Sequence, residues 1–98
     1  MFTKRRLRRV LKTKGKAVEQ VRGSYTRYYV YIDDRLFAET KVSHDDVGDV
    51  GKPLGGKIAR QLGLNWALLE QFVDCTFSGE DFEAYLRQTG PVRFLPRQ

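Results

Sequence analysis

This chain of 98 residues has one cysteine, one histidine, no acidic residue before position 19 and no long apolar run. A lone Cys75 excludes an internal disulfide and any cysteine-based zinc site, and leaves a buried structural thiol as its expected role. No apolar stretch approaches the roughly 20 residues of a membrane-spanning helix. The basic N-terminus lacks the apolar segment that would follow it in a secretory signal. A cytoplasmic protein with no membrane association is therefore expected. There is no internal repeat and no low-complexity linker. The length suits one domain, residues 1–98, with a single core.

The charge is unevenly placed. The first sixteen residues hold Lys4, Arg5, Arg6, Arg8, Arg9, Lys12, Lys14 and Lys16 and no acid. Residues 1–22 carry nine basic side chains against Glu19, while the whole chain is only +6, so the remainder is slightly acidic. This asymmetry points to a polyanion, for a small protein most often nucleic acid. Cations in the first turn of a helix oppose its dipole, which argues that something other than local stability keeps them there. The plainer reading is a solvated, solubilising helix face.

Thr3 can cap a first helix, with Phe2 and Leu7 at the two positions of a hydrophobic staple. Leu7, Val10 and Leu11 form its apolar stripe, and Arg5, Arg8, Arg9 and Lys12 fall on the opposite face. Gly15 ends it. Ala17–Arg22 alternates as a short strand, Gly23-Ser24 is a turn, and Tyr25–Ile32 is a strong strand rich in Tyr and β-branched residues. Asp33-Asp34-Arg35 turns the chain into a third strand, Leu36–Val42, and Ser43–Gly51 reads as a loop. Pro53 opens a helix ending at Gly63, Asn65 caps the next, and Ser78 caps the last, with Glu80 and Asp81 in its first turn and a Phe77/Phe82 staple. The expected class is α+β: an α-β-β-β-α core over residues 1–64, a two-helix extension over 65–90, and an irregular tail over 91–98 that Phe94 and Leu95 could pin.

Between Leu7 and Leu64 several short signatures follow in order. They are a helix ending at Gly15, Arg22-Gly23-Ser24 between strands, and Lys41-Val42-Ser43-His44 after the third strand. A helix start before Gly56-Lys57-Ile58 and the ending Gln61-Leu62-Gly63-Leu64 complete the set. In order and spacing they resemble the HicA family, small bacterial toxins with a double-stranded-RNA-binding-domain-like fold that cleave RNA. The resemblance implies that fold and an RNA partner. It does not bring the nuclease activity, because the family's proposed catalytic histidine directly follows the Gly-Ser pair, and Tyr25 stands there. A phenol with an ordinary pKa near ~10 is a poor general base at neutral pH. It can still donate a hydrogen bond or stack on a base.

Other residues carry candidate chemistry. His44 is the one side chain that titrates near neutrality without a large shift. Asp45, Asp46 and Asp49 could raise its pKa or join it around a divalent metal, but a solvated or structural histidine is the simpler reading. Gly51-Lys52-Pro53-Leu54-Gly55-Gly56-Lys57-Ile58 has phosphate-loop spacing, yet Ile58 stands where Ser or Thr must hold magnesium. Lys52 and Lys57 still flank a helix start, which favours anions. On the second strand Tyr25, Arg27, Tyr29 and Tyr31 share one face. They suit an aromatic-basic platform for bases, although the competing and favoured expectation is that the C-terminal helices cover this face. Ala59, Gly63 and a capped helix over Asn65–Val73 have helix-turn-helix spacing, but that helix would meet DNA with Glu70 and no Lys or Arg.

The leading expectation is non-catalytic binding of RNA, by Arg5, Arg8, Arg9 and Lys12 with help from Lys52, Lys57, Arg27, Tyr29 and Tyr31. Second is a divergent ribonuclease using His44 beside Tyr25. Third is a protein-interaction module, since residues 65–89 carry five acids and one arginine that could dock a basic partner or another copy of the chain. No cofactor or metal is expected.

Overall fold

The computed structural model describes residues 2–43, 49–74 and 76–92. Phe2–Thr3 (β1) runs straight into helix α1 (Lys4–Thr13). Thr3 keeps an extended backbone and accepts the backbone N–H of Arg6 at 3.1 Å, which satisfies one of the donors a helix start leaves open. Leu7, Val10 and Leu11 are buried, as their spacing requires. The helix stops near Gly15, but the left-handed residue after it is Lys16, with φ 51°. Gly15 is needed for space instead: a Cβ there would lie 2.8 Å from the Leu11 carbonyl oxygen.

Three antiparallel strands follow in the order β2 (Val18–Arg22), β3 (Tyr25–Ile32) and β4 (Arg35–Ser43). Two-residue turns join them, Gly23-Ser24 and Asp33-Asp34. Both aspartates have positive φ, 53° and 66°, as the twist of a tight hairpin demands, and Asp tolerates that region better than most residues. The register slips between Val30 and Tyr31, where Phe37 is the extra residue. That bulge moves Lys41 opposite Arg27, one position on from where the turn alone would place it.

Beyond β4, Asp49–Val50 (β5) pairs with β1, Val50 opposite Phe2. Helices α2 (Lys52–Gln61), α3 (Trp66–Val73) and α4 (Gly79–Thr89) complete the order. Asn65 caps α3 by accepting from Leu68 at 2.8 Å. Ser78 and Asp81 form a reciprocal capping box on α4, at 3.0 and 3.1 Å. Phe77 and Phe82 both lie against Phe72, with ring centres 6.4 and 4.8 Å from it.

A single core joins these elements. It includes Leu7 and Leu11 from α1, Tyr28, Val30 and Val42 from the sheet, Ile58 from α2, Leu69 and Phe72 from α3, and Phe82 and Leu86 from α4. Thr40, also buried, donates to Gln61 of α2 at 2.6 Å. At the far end Val92 donates to the Phe37 carbonyl at 2.9 Å, and Arg87 of α4 pairs with Asp33 of the hairpin turn at 2.8 Å. The expectations for Cys75, Phe94 and Leu95 fall outside the described residues.

The core lies on the face of β3 that carries Thr26, Tyr28, Val30 and Ile32. The C-terminal helices therefore pack on that side and do not cover the Tyr29/Tyr31 face, contrary to the favoured expectation. β3 offers two aromatic faces, and Leu69, Phe72, Phe82 and Leu86 pack with the one that α1 also meets. An open cleft that Lys16 and Arg87 also line runs between helix α4 and the Val30–Ile32 end of β3.

Candidate nucleic-acid interface

The α1 cations divide into two groups. Arg5, Arg9 and Lys16 are exposed and have no side-chain partner among the described residues. The others are engaged. Lys4 Nζ donates to Ser43 Oγ at 3.0 Å and Arg8 Nη1 to the Ser43 carbonyl at 3.1 Å. Arg6 lies 3.6 Å from Asp74, and Lys12 lies 3.5 Å from Glu19. Lys14 donates to the Phe72 carbonyl at the end of α3, where a cation suits the helix dipole, and its ammonium sits 5.0 Å from the Phe72 ring centre. Of the predicted stripe, Arg5, Arg9 and Lys12 are exposed while Arg8 is half-buried.

The opposite face of the sheet carries Tyr25, Arg27, Tyr29 and Tyr31 from β3, set beside Arg22 of β2 and Lys41 of β4 by the strand register. Tyr31 is 46% exposed. The Tyr29 and Tyr31 rings lie 6.5 Å apart, inclined at 35°. A shallow groove of about 540 Å³ crosses this face. Among the described residues it is lined by strands alone, with Val18, Gln20, Arg22, Arg27 and Tyr29 in its wall and Glu39 at its side. Glu39 accepts from Arg27 Nη1 at 2.9 Å, which fixes the guanidinium and neutralises part of its charge.

Arg27 also reaches back to Tyr25, its Nη2 donating to the phenol oxygen at 3.4 Å. Its guanidinium lies 5.4 Å from the Tyr25 ring centre, and the Lys41 ammonium 5.0 Å from it. The hydrogen bond and charge of Arg27, then the charges of Lys41 and Arg22, hold the Tyr25 phenol below its ordinary pKa. Tyr25 also walls a pocket of about 230 Å³ at the C-terminal end of β4. Val42, Leu54 and Ile58 give it an apolar lining, and Lys4, Lys41, Ser24 and Ser43 supply polar groups.

The predicted binding residues are thus not one cluster. α1 packs on the core side of the sheet, whereas Arg27, Tyr29 and Tyr31 lie on the other. Lys52 and Lys57 are exposed on α2, the helix whose Leu54 and Ile58 line the Tyr25 pocket. His44, with Asp45 and Asp46, lies outside the described residues, so its pairing with Tyr25 is not part of this geometry. The helix-turn-helix reading loses its surface: Leu69, Phe72 and Val73 are buried, and Trp66 stacks on Phe2 at 5.7 Å. Nothing in the sequence marks Lys4, Arg22, Lys41, Ser43 and Leu54 as neighbours of Tyr25. The signal for Lys41 was hidden by the bulge, since a regular hairpin would pair Arg27 with Thr40.

No family model, no curated protein and no solved structure matches this chain. No helix among the described residues is long and apolar enough to cross a membrane.

Proposed function

We propose that this chain is a small RNA-binding protein that holds RNA without cutting it efficiently, built on a HicA-like, double-stranded-RNA-binding-domain-like core. The observation that carries the reading is the sheet face that the described residues leave uncovered, where Tyr25, Tyr29 and Tyr31 are interleaved with Arg22, Arg27 and Lys41. Aromatic faces stack on bases of any sequence, and neighbouring cations meet the phosphates. The exposed Arg5 and Arg9 of α1 add a second electrostatic contact. The α-β-β-β-α order of α1, β2–β4 and α2 agrees with the proposed core.

The test is fluorescence anisotropy of a labelled single-stranded RNA. Each stacked ring is worth about 1–3 kcal/mol, so replacing Tyr29 and Tyr31 together by Ala should weaken binding by about tenfold or more. A double variant that binds as the parent does removes the basis of the reading. A second reading, a divergent ribonuclease, is favoured by Arg27 and Lys41 beside Tyr25, which lower its phenol's pKa and so raise the share of phenolate that could accept a proton. Under the leading reading, purified protein leaves mixed RNA intact over hours at neutral pH. Cleavage that is lost in Tyr25→Phe or His44→Ala establishes the second.

A further inference from the structure

We infer that the pocket between Tyr25 and Leu54 takes one unpaired base of an RNA strand that passes round the β4 edge from one face of the sheet to the other. The inference rests on the RNA-binding reading and adds to it the substrate class: single strands, not duplex.

The two cationic features lie on opposite sides of the sheet, so no straight ligand meets both. The pocket sits where the sides connect. Its lining mixes groups of the platform side, Tyr25 and Lys41, with groups of the core side, Val42 and Ile58. Lys4 of α1 reaches Ser43 at the same rim. Walking along the surface, a strand would meet α1, then Lys4, then the pocket, then Lys41, Arg27 and the Tyr29/Tyr31 platform. Lys4, Lys41, Arg22 and Arg27 make this path basic, with Glu39 offsetting part of the Arg27 charge.

The chemistry of the pocket suits a base better than a phosphate alone. A phosphate needs donors and no apolar floor, whereas Val42, Leu54 and Ile58 offer little but hydrocarbon. Leu54 is 43% exposed, an apolar side chain left at the mouth of a basic site. A base inserted there stacks on the Tyr25 ring, which two cations already flank, and its phosphates lie toward Lys4 and Lys41. Only unpaired bases can be splayed out in this way. A duplex is stiff and keeps its bases stacked inside, so it cannot follow a sharp turn round a sheet edge.

The full chain is titrated by anisotropy against a labelled single-stranded oligoribonucleotide of about a dozen nucleotides and against the duplex of the same sequence, at one salt concentration. The single strand should bind about tenfold or more tightly than the duplex. Leu54→Glu puts a carboxylate at the pocket mouth and should weaken single-strand binding by about tenfold while leaving duplex binding little changed. Lys41→Gln, at an exposed position, should weaken it in the same sense and serves as the second variant if Leu54→Glu lowers the melting temperature. Equal affinity for the two RNAs overturns the inference, as does single-strand binding that neither variant changes; either result leaves RNA binding itself standing. If neither RNA binds, the underlying reading fails with it.

Discussion

Lys4 Nζ donates to Ser43 Oγ at 3.0 Å, tying the first turn of α1 to the last residue of β4. Arg8 adds a bond to the carbonyl of the same serine. Lys4 and Arg8 thus tie α1 to the sheet, whereas Arg5 and Arg9 have no side-chain partner among the described residues.

That division can be measured. Arg8→Gln should lower stability by about 1 kcal/mol or more, since a charge-assisted hydrogen bond is lost in a partly buried place. The Arg5→Gln/Arg9→Gln pair should leave the melting temperature nearly unchanged. In RNA binding the order reverses: the Arg5/Arg9 variant should reduce the slope of log affinity against log salt by about two phosphate contacts. Matching melting curves for the two variants contradict the division.

Helices α2 and α3 meet through Gly55. A Cβ built there would lie 1.9 Å from the Trp66 ring, which cannot move away without leaving Phe2. Gly55→Ala removes a flexible residue from a helix and would normally stabilise it. Here overpacking should win and cost about 1–3 kcal/mol, read as a lower urea midpoint with altered Trp66 fluorescence. A more stable variant shows that the contact is loose.

Tyr28 is buried and its hydroxyl donates to Glu19 at 2.9 Å. Burial first, then Glu19, raise its pKa above the ordinary tyrosine value. The unfolded chain therefore loses this proton first. Stability from Tyr28 is fully present below about pH 10 and declines as pH rises towards the folded value. Tyr28→Phe should cost about 1 kcal/mol at neutral pH. The gap between parent and variant should close above about pH 10, when urea midpoints are compared. A gap that stays constant contradicts the assignment.

Leu69, Phe72, Phe82 and Leu86 are 1% exposed or less. Each such side chain contributes about 1.5–3 kcal/mol on burial. A chain ending after Gly63 should aggregate or lose its cooperative melt. In the full chain, Trp66 fluorescence and far-UV dichroism should change in one transition. Two transitions, or a stable truncated form, make the last helices an appendage.

Local chemistry was the most legible part of the sequence. Thr3, Asn65 and Ser78 cap the helices they were assigned, because a cap depends only on residues within one turn. The Asp33-Asp34 turn is equally local. What depends on distant partners was not legible. β1 and β5 are two residues each and exist only because Phe2 meets Val50 across the fold. The open face of the sheet could not be chosen, since β3 alternates aromatic groups on both sides and only packing with α1, α3 and α4 selects one. Of the site, Arg27, Tyr29 and Tyr31 are legible from alternation alone. Their neighbour Lys41 waited on a bulge that no short motif marks, and Leu54 on a corner assembled from three elements.

The most direct test of the central claim is an amide chemical-shift map of the full chain titrated with a single-stranded oligoribonucleotide. Binding at the uncovered sheet face predicts the largest shifts at Arg22, Tyr25, Arg27, Tyr29, Tyr31 and Lys41, with smaller ones at Arg5 and Arg9. Shifts confined to α3 and α4, or no shifts at RNA concentrations well above the protein's, contradict it.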